Sequence, residues 1–349
     1  MNAVYINEIA TAVPPFDVQA PFLAFANTII ENSRERDIFN KAIRRAQIDH
    51  RYSFLPPSCF QSGGFYSPGQ FADTGARMHF FEQHAIKLAA AALAQLDLGR
   101  VRAKVTHLIL ACCTGFYAPG LDIDIVNGFG LNRSVERTVI GFMGCYAGIT
   151  ALKLARHMVR SEPEATVLVV NVELCTLHLQ ERDDLEQMLC FSLWGDGCAA
   201  CLVSAEARGI ELKSFHSTTI ADSAEQMAWR IGDSGFDMIL SGQVPRTLAS
   251  ALPSQVAGLL GGRRKEEIDL WAVHPGGRSI LDAVASTLEL TEDALDISRD
   301  ILRRFGNMSS ATIIFVLKAL LERRLRGLGC AMAFGPGLTA ESMVFEAIG

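Results

Sequence analysis

The sequence has no run of the ~18 or more uncharged apolar residues that a membrane-spanning helix needs, so stable insertion into a bilayer is not expected. Its start, MNAVYINEIATAVPP, lacks a basic segment followed by an apolar one, and Glu8 interrupts the apolar character; it does not read as a secretory signal. Positive charge is in short supply. Lys and Arg total 32 against 38 Asp and Glu, a formal net charge of −6. Bulk attraction to nucleic acid or anionic lipid is therefore not expected, and any polyanionic ligand needs a local basic patch. A second pair to complete the CxxC spacing of Cys198 and Cys201 is missing too, as is a histidine pair. On a strand, an offset of three sends those two thiols to opposite faces, so no metal site is expected.

What the chain does have is apolar mass. Hydrophobic residues make up 49% of its 349 positions and charged residues 20%, enough for one large domain or two closely packed ones. Nine cysteines sit mostly inside apolar segments such as LILACC and CAACLV. Such thiols act as small hydrophobes and read as reduced, which places the protein in a cytoplasm.

Buried-strand patterns occupy 105–113, 166–174, 198–204, 269–274 and 329–334, while helical periods occupy 80–96, 146–160, 246–260, 278–289 and 309–325. Interleaved in this way, they predict an α/β protein with sheets covered by helices. Cohesion is weakest over 205–235, where short polar segments such as HSTTIADSAEQ separate stronger elements, and a boundary is expected near 207. One echo stands out. FMGCYAGITALKLA and GNMSSATIIFVLKAL both pass from a glycine-bearing turn into an apolar helix.

Three residues have settings suited to chemistry. Cys145 in GFMGCYAG lies where a strand gives way to a helix, so the positive end of the helix dipole and free N–H groups favour its thiolate. Gly144 and Gly148 permit a tight turn and the close approach of a substrate. A small residue buried at a packed turn is the plain alternative. His274 in LWAVHPGGRS closes a buried strand before a glycine-rich loop, a position from which imidazole can pair with a thiolate or donate to an oxyanion; it also fits an ordinary turn histidine. Asn307 in FGNMSSA precedes an apolar helix, where an asparagine is commonly a cap and alternatively a fixed oxyanion donor. The three lie far apart in the chain, so spacing alone does not bring them together.

These segments, in this order, resemble the type III polyketide synthases, the chalcone and stilbene synthase family, and look most like its bacterial members. RYSFLPP, CTGFYAPGLD, GFMGCYAG, VLVVNVELC, LWGDG, HPGGRSILD, RFGNMSSATIIF and FGPGLTAE carry the resemblance from about residue 40 to the carboxyl end. It implies the thiolase fold, a duplicated five-layer α/β/α/β/α sandwich of similar halves, 1–207 with the nucleophile and 208–349 with the other two catalytic groups. It implies a homodimer that uses malonyl-CoA and a starter acyl-CoA as substrates, with no metal or organic cofactor. Cys145 matches the nucleophile; His274 and Asn307 match its two catalytic partners.

Further positions follow from the same resemblance. Trp194 and Phe236 match two gate positions that are commonly phenylalanine. Lys41, Arg44 and Arg45 share a helical face, and Lys41 and Arg45 match basic positions near the CoA phosphates; Gly277 joins them at the CoA site. Cys113, Thr114, Cys175, His178, Cys190, Ser309 and Pro336 match cavity or tunnel positions, several of them slim, which suits a medium- or long-chain acyl starter. Two alternatives share the fold: a ketoacyl-ACP synthase III that condenses once, and a non-catalytic acyl-CoA-binding scaffold.

Overall fold

The computed structural model describes residues 2–348. Nine strands form one mixed sheet: β1 (Tyr5–Ala12), β2 (His107–Cys112), β3 (Glu136–Gly141), β4 (Val167–Leu174), β5 (Asp196–Ser204), β6 (Ile210–Thr219), β9 (Leu270–Val273), β10 (Gly327–Gly335) and β11 (Thr339–Ala347). Two more, β7 (Met227–Gly232) and β8 (Gly235–Leu240), make a separate hairpin, and the two-residue strands Phe16–Asp17 and Tyr52–Ser53 pair with each other. Across the main sheet the order is β9-β10-β11-β6-β1-β5-β4-β2-β3.

This order contains a repeat. β2 runs parallel to β4, β4 antiparallel to β5, and β5 antiparallel to β1. In the second half β9 runs parallel to β10, β10 antiparallel to β11, and β11 antiparallel to β6. The helix Ala147–Ser161 leads into β4 as the helix Thr312–Glu322 leads into β10. The two sequence echoes therefore occupy equivalent places. The half-sheets join through a short seam, Tyr5↔Glu211 and Ile6↔Ile210.

Strand periodicity explains the layers. All eight residues of β4 are buried, with Leu168, Val170 and Val172 in one core and Val167 and Val169 in the other. The second core surrounds the two central helices, while the first lies under outer helices such as Thr74–Leu93 and Val244–Leu259. The result is an α/β thiolase-like sandwich. Cys198 faces one core and Cys201 the other, as their offset on a strand requires. The β9 edge is covered by the helix Asp296–Phe305, whose Ser298 Oγ accepts from the Val273 N–H at 3.2 Å.

One expectation needs correcting. The segment HSTT is no break: residues 216–219 are the outer half of the ten-residue β6 and pair with β11 from Ser342 to Thr339. Its polar side chains hid a strand held by backbone pairing. No helix among the described residues is long and apolar enough to cross a membrane.

Candidate active site

The starts of the two central helices meet. Each is entered through one tight 3₁₀ turn, Gly144–Tyr146 in the first half and Ser309–Ala311 in the second. Gly144 has φ +76°, and a Cβ there would lie 2.4 Å from Pro336 Cδ. An L side chain at this position meets both left-handed strain and a collision. Gly144→Ala is expected to destabilise the protein by about 1–2 kcal/mol; chemical denaturation measures it, and an unchanged midpoint contradicts the argument. Gly148 serves packing rather than substrate approach: its Cβ would come within 2.5 Å of Ser310 O on the second helix entry.

Cys145 is 5% exposed, His274 1% and Asn307 2%, and all three line one cavity of about 640 Å³. The chain segments that carry them are tied by backbone bonds. The Asn307 N–H donates to Leu193 O at 2.7 Å, and the Gly195 N–H donates to Asn307 O at 3.0 Å. The His274 N–H at the end of β9 donates to Met332 O at 2.7 Å. Asn307 Oδ1 accepts from the Ser309 N–H at 2.9 Å, which fixes the amide; Nδ2 then donates to Gly276 O at 3.2 Å and lies 4.0 Å from Cys145 Sγ. The cap role and the donor role thus coexist, one on each atom of the amide. Among the described residues, both ring nitrogens of His274 lack a hydrogen-bond partner.

The electrostatics differ from the thiolate expected at a helix start. Burial pushes the Cys145 thiol up to about 12, against the lowering effect of hydrogen bonds from Ser309 and Asn307. Burial pushes His274 down to about 3. The free site therefore holds a neutral thiol and a neutral imidazole. Helix-end stabilisation, worth roughly 0.3–1 kcal/mol at an exposed end, is outweighed by desolvation.

The remaining expected residues fall into distinct places. Cys113, Thr114, Cys175, Ser309 and Pro336 line a small space of about 20 Å³ beside Cys145. Cys175, His178 and Cys190 line another of about 10 Å³, and Cys190 lines the large cavity as well. Trp194 and Met238 border both of these and the large cavity. Phe236 lines none of the three. It stacks on His178, ring centroids 4.2 Å apart, and packs edge-on to Phe142. The hairpin residue facing Trp194's side of the cavity is Met238, two positions further along β8; a period of two gives both residues one strand face, and sequence alone does not say which meets open space. Lys41, Arg44 and Arg45 are exposed on the helix Ser33–Ala46, and none forms an ion pair among the described residues. Ala42, Ile43 and Ala46 of that helix line the cavity, as does Gly277, so the three cations flank it without facing it.

Sequence reasoning missed three residues that hold the site. Glu173 is fully buried, accepts from the Cys113 N–H at 3.0 Å, Thr114 Oγ1 at 2.9 Å and Ser310 Oγ at 2.6 Å, and is raised by burial. It ties the turn after β2 to the entry of the second central helix. Buried Arg51 donates to Phe191 O at 2.9 Å and Trp194 O at 2.7 Å, pinning the tryptophan turn. Met238 is the third. The motifs RYSFLPP and VLVVNVELC contain the first two, but nothing local distinguishes a buried bridge from a surface charge.

His178 offers a pH test. Its Nε2 donates to Thr114 O at 2.8 Å, so Nδ1 must accept from the Phe236 N–H at 3.0 Å. A second proton would set donor against donor, and burial pushes this histidine down to about 3. With its folded pKa depressed, the native state binds fewer protons, and stability falls as pH drops from about 6.5 towards 3, by about 1.4 kcal/mol per pH unit. Urea denaturation should show the parent losing more stability than His178→Gln between about pH 6 and pH 4. Parallel pH dependences would contradict this.

Comparison with known proteins agrees with this geometry. The family model "Chalcone and stilbene synthases, N-terminal domain" matches residues 8–207, and the corresponding C-terminal domain model matches 211–349. The chain is 36% identical over 287 residues to the alpha-pyrone synthesis polyketide synthase-like Pks18 of Mycobacterium tuberculosis, covering 78% of this chain and 73% of that protein. It is 32% identical over 335 residues to bisdemethoxycurcumin synthase of Oryza sativa, covering 89% and 83%. Among solved structures, PKS-I of the brown alga Ectocarpus siliculosus superposes with a TM-score of 0.89 at 25% identity, covering 100% of this chain and 99% of that one. The C-terminal type III polyketide synthase domain of Steely1 from Dictyostelium shares the fold at a TM-score of 0.90 and 24% identity, covering 100% of both chains. With both halves matched and the Cys-His-Asn cluster in one cavity, the chain belongs to the chalcone and stilbene synthase family, the type III polyketide synthases.

Proposed function

We propose that this acyltransferase loads a medium- or long-chain acyl starter from CoA onto Cys145. It then extends the chain by repeated decarboxylative condensation with malonyl-CoA and cyclises it to a resorcinol, pyrone or phloroglucinol type product. The observation that carries the reading is the convergence of Cys145, His274 and Asn307 on one cavity with largely apolar walls.

In the loading step, Cys145 Sγ attacks the starter carbonyl, its proton passes to His274, and CoA leaves as the thiol. Malonyl-CoA then loses carbon dioxide, and the electron pair of the broken bond forms an enolate. The Asn307 Nδ2–H and the N–H of neutral His274 stabilise that oxygen in a site sheltered from water. The enolate carbon attacks the Cys145 thioester, forming the new C–C bond and releasing the sulfur for reloading. This chemistry needs no resident metal or organic cofactor, because the CoA thioesters are substrates.

Lys41, Arg44 and Arg45 beside the cavity mouth suit the CoA phosphates, with Gly277 along the pantetheine path. The division into halves 1–207 and 208–349 is supported by the repeated strand topology. A homodimer is supported by the unpaired edge of β3, where Val139 is 50% exposed and Phe116, close by, 39%. Nine free, buried thiols favour a cytoplasmic setting. Incubation with a panel of acyl-CoAs, read by mass spectrometry of Cys145 and of products, tests the starter class. Loading and extension of fatty acyl-CoAs is expected; extension of short or aromatic starters alone would overturn that part.

A further inference from the structure

We propose that Arg51 is a positioning residue for decarboxylation: it holds the turn at 193–195, and that turn fixes where the Asn307 amide donates. This deepens the function proposed above and rests on it.

The contacts run from a helix end to the active site. The helix Leu185–Phe191 leaves carbonyls at its last turn without a partner inside the helix. Arg51 Nη1 donates to Phe191 O at 2.9 Å and, across the turn that follows, to Trp194 O at 2.7 Å. The turn passes this constraint on. Leu193 O accepts from the Asn307 N–H at 2.7 Å and the Gly195 N–H donates to Asn307 O at 3.0 Å, so the residues on either side of Trp194 grip both backbone groups of Asn307. The stem of Arg51 presses on the same segment. A Cβ at Gly306, where φ is +69°, would lie 2.9 Å from Arg51 Cγ and 2.8 Å from Leu193 O, and one at Gly195 would lie 2.5 Å from Phe305 O. Arg51, the turn and residues 305–307 thus leave no space for a methyl group between them.

The guanidinium is itself fixed. Arg51 is fully buried, its Nε donates to Gln19 Oε1, and its cation lies over the Phe22 ring, 4.8 Å from the centroid. Gln19 is anchored in turn by Nε2, which donates to Ile48 O at 3.1 Å. Burial lowers Arg51 to about 9, so it stays charged at neutral pH. A buried cation bonded to carbonyls instead of a carboxylate is costly to keep, and its planar fork sets direction as well as distance. The other two members of the cluster are held elsewhere: Cys145 on the turn Gly144–Tyr146, and His274 through its N–H to Met332 O. A shift of the turn at 193–195 therefore moves the Asn307 donor and leaves the nucleophile and the imidazole in place.

The test measures malonyl-CoA decarboxylation and starter loading separately in the parent, Arg51→Met, Asn307→Ala and the double variant, with a denaturation midpoint for each. Arg51→Met keeps an unbranched stem and removes the donors. It is expected to slow decarboxylation about tenfold or more, with a smaller change in loading. In the Asn307→Ala background the same substitution is expected to change decarboxylation by less than about twofold, because the group it positions is gone. A merely structural arginine lowers both reactions alike and lowers them again in the double variant. Either of those patterns, or unchanged decarboxylation in Arg51→Met, overturns the proposal. Gln19→Met, which removes only the acceptor for Nε, is expected to show the same selectivity in weaker form, and it decides the question should Arg51→Met not fold. A parent protein that does not decarboxylate malonyl-CoA refutes the synthase reading itself, a result distinct from failure of this inference.

Discussion

Cys145→Ala is expected to abolish starter loading, with polyketide formation falling by about five to six orders of magnitude, as loss of a covalent nucleophile does. Cys190 also lines the large cavity, but its sulfur accepts from the Trp194 indole N–H and burial pushes its thiol up to about 12. Cys113 and Cys175 border the same small space as Cys145, but each is pushed well up by burial and by the Glu173 carboxyl, and neither borders the large cavity with His274 and Asn307. The oxyanion donors stay in place in this variant, so slow decarboxylation of malonyl-CoA should persist without condensation. An acyl adduct on the alanine variant, or products from it, would contradict the assignment.

Asn307→Ala is expected to lower malonyl-CoA decarboxylation by about 10²–10³, the usual loss for one oxyanion donor, with a smaller loss in starter loading. The separation follows from the amide's position. Its Nδ2 faces the reacting volume, while Cys145 keeps its place on the turn Gly144–Tyr146 whether or not the amide is there. Truncation also frees the Ser309 N–H that Oδ1 held, so a denaturation midpoint belongs beside the kinetics. Equal losses in both partial reactions would contradict the division of roles.

The parts of the fold legible in the sequence were those with both strand faces buried. β2, β4, β5, β9 and β10 appear as predominantly apolar runs, β4 even with Asn171 and Glu173 inside it, and both central helices show their periods. Strands whose reason for existing is a distant partner were not legible. β1 alternates irregularly and pairs with β5 nearly the whole first half away in the chain. β3 is an exposed edge, β6 is largely half-buried, and β11 carries Glu341, whose charge is met by Lys153 from the first central helix at 2.8 Å. In β11 that carboxylate comes with polar neighbours, Thr339 and Ser342, and no long apolar run marks the strand as VLVV marks β4 despite Glu173.

The site divides along the same line. Cys145, His274 and Asn307 each sit at the end of a strongly patterned element, so each was visible as a candidate, and the family resemblance supplied their relation. The protonation state was not visible, because local helix-end effects favour thiolate and only the assembled site shows the desolvation that wins. Nor was the choice between Phe236 and Met238, since alternation along β8 does not say where open space begins. The bridge made by Glu173 was hidden because its partners are distant in the chain, Cys113 and Thr114 some sixty residues before it and Ser310 in the other half.

The account is tested most directly by incubating the pure protein with isotopically labelled malonyl-CoA and a fatty acyl-CoA, then analysing products and intact protein by mass spectrometry. The account predicts an acyl group on Cys145 and products lengthened by two or more labelled two-carbon units, with no carrier protein added. A single extension that requires a carrier protein would contradict iterative synthesis. An unmodified Cys145 and no product with any starter would contradict the central claim.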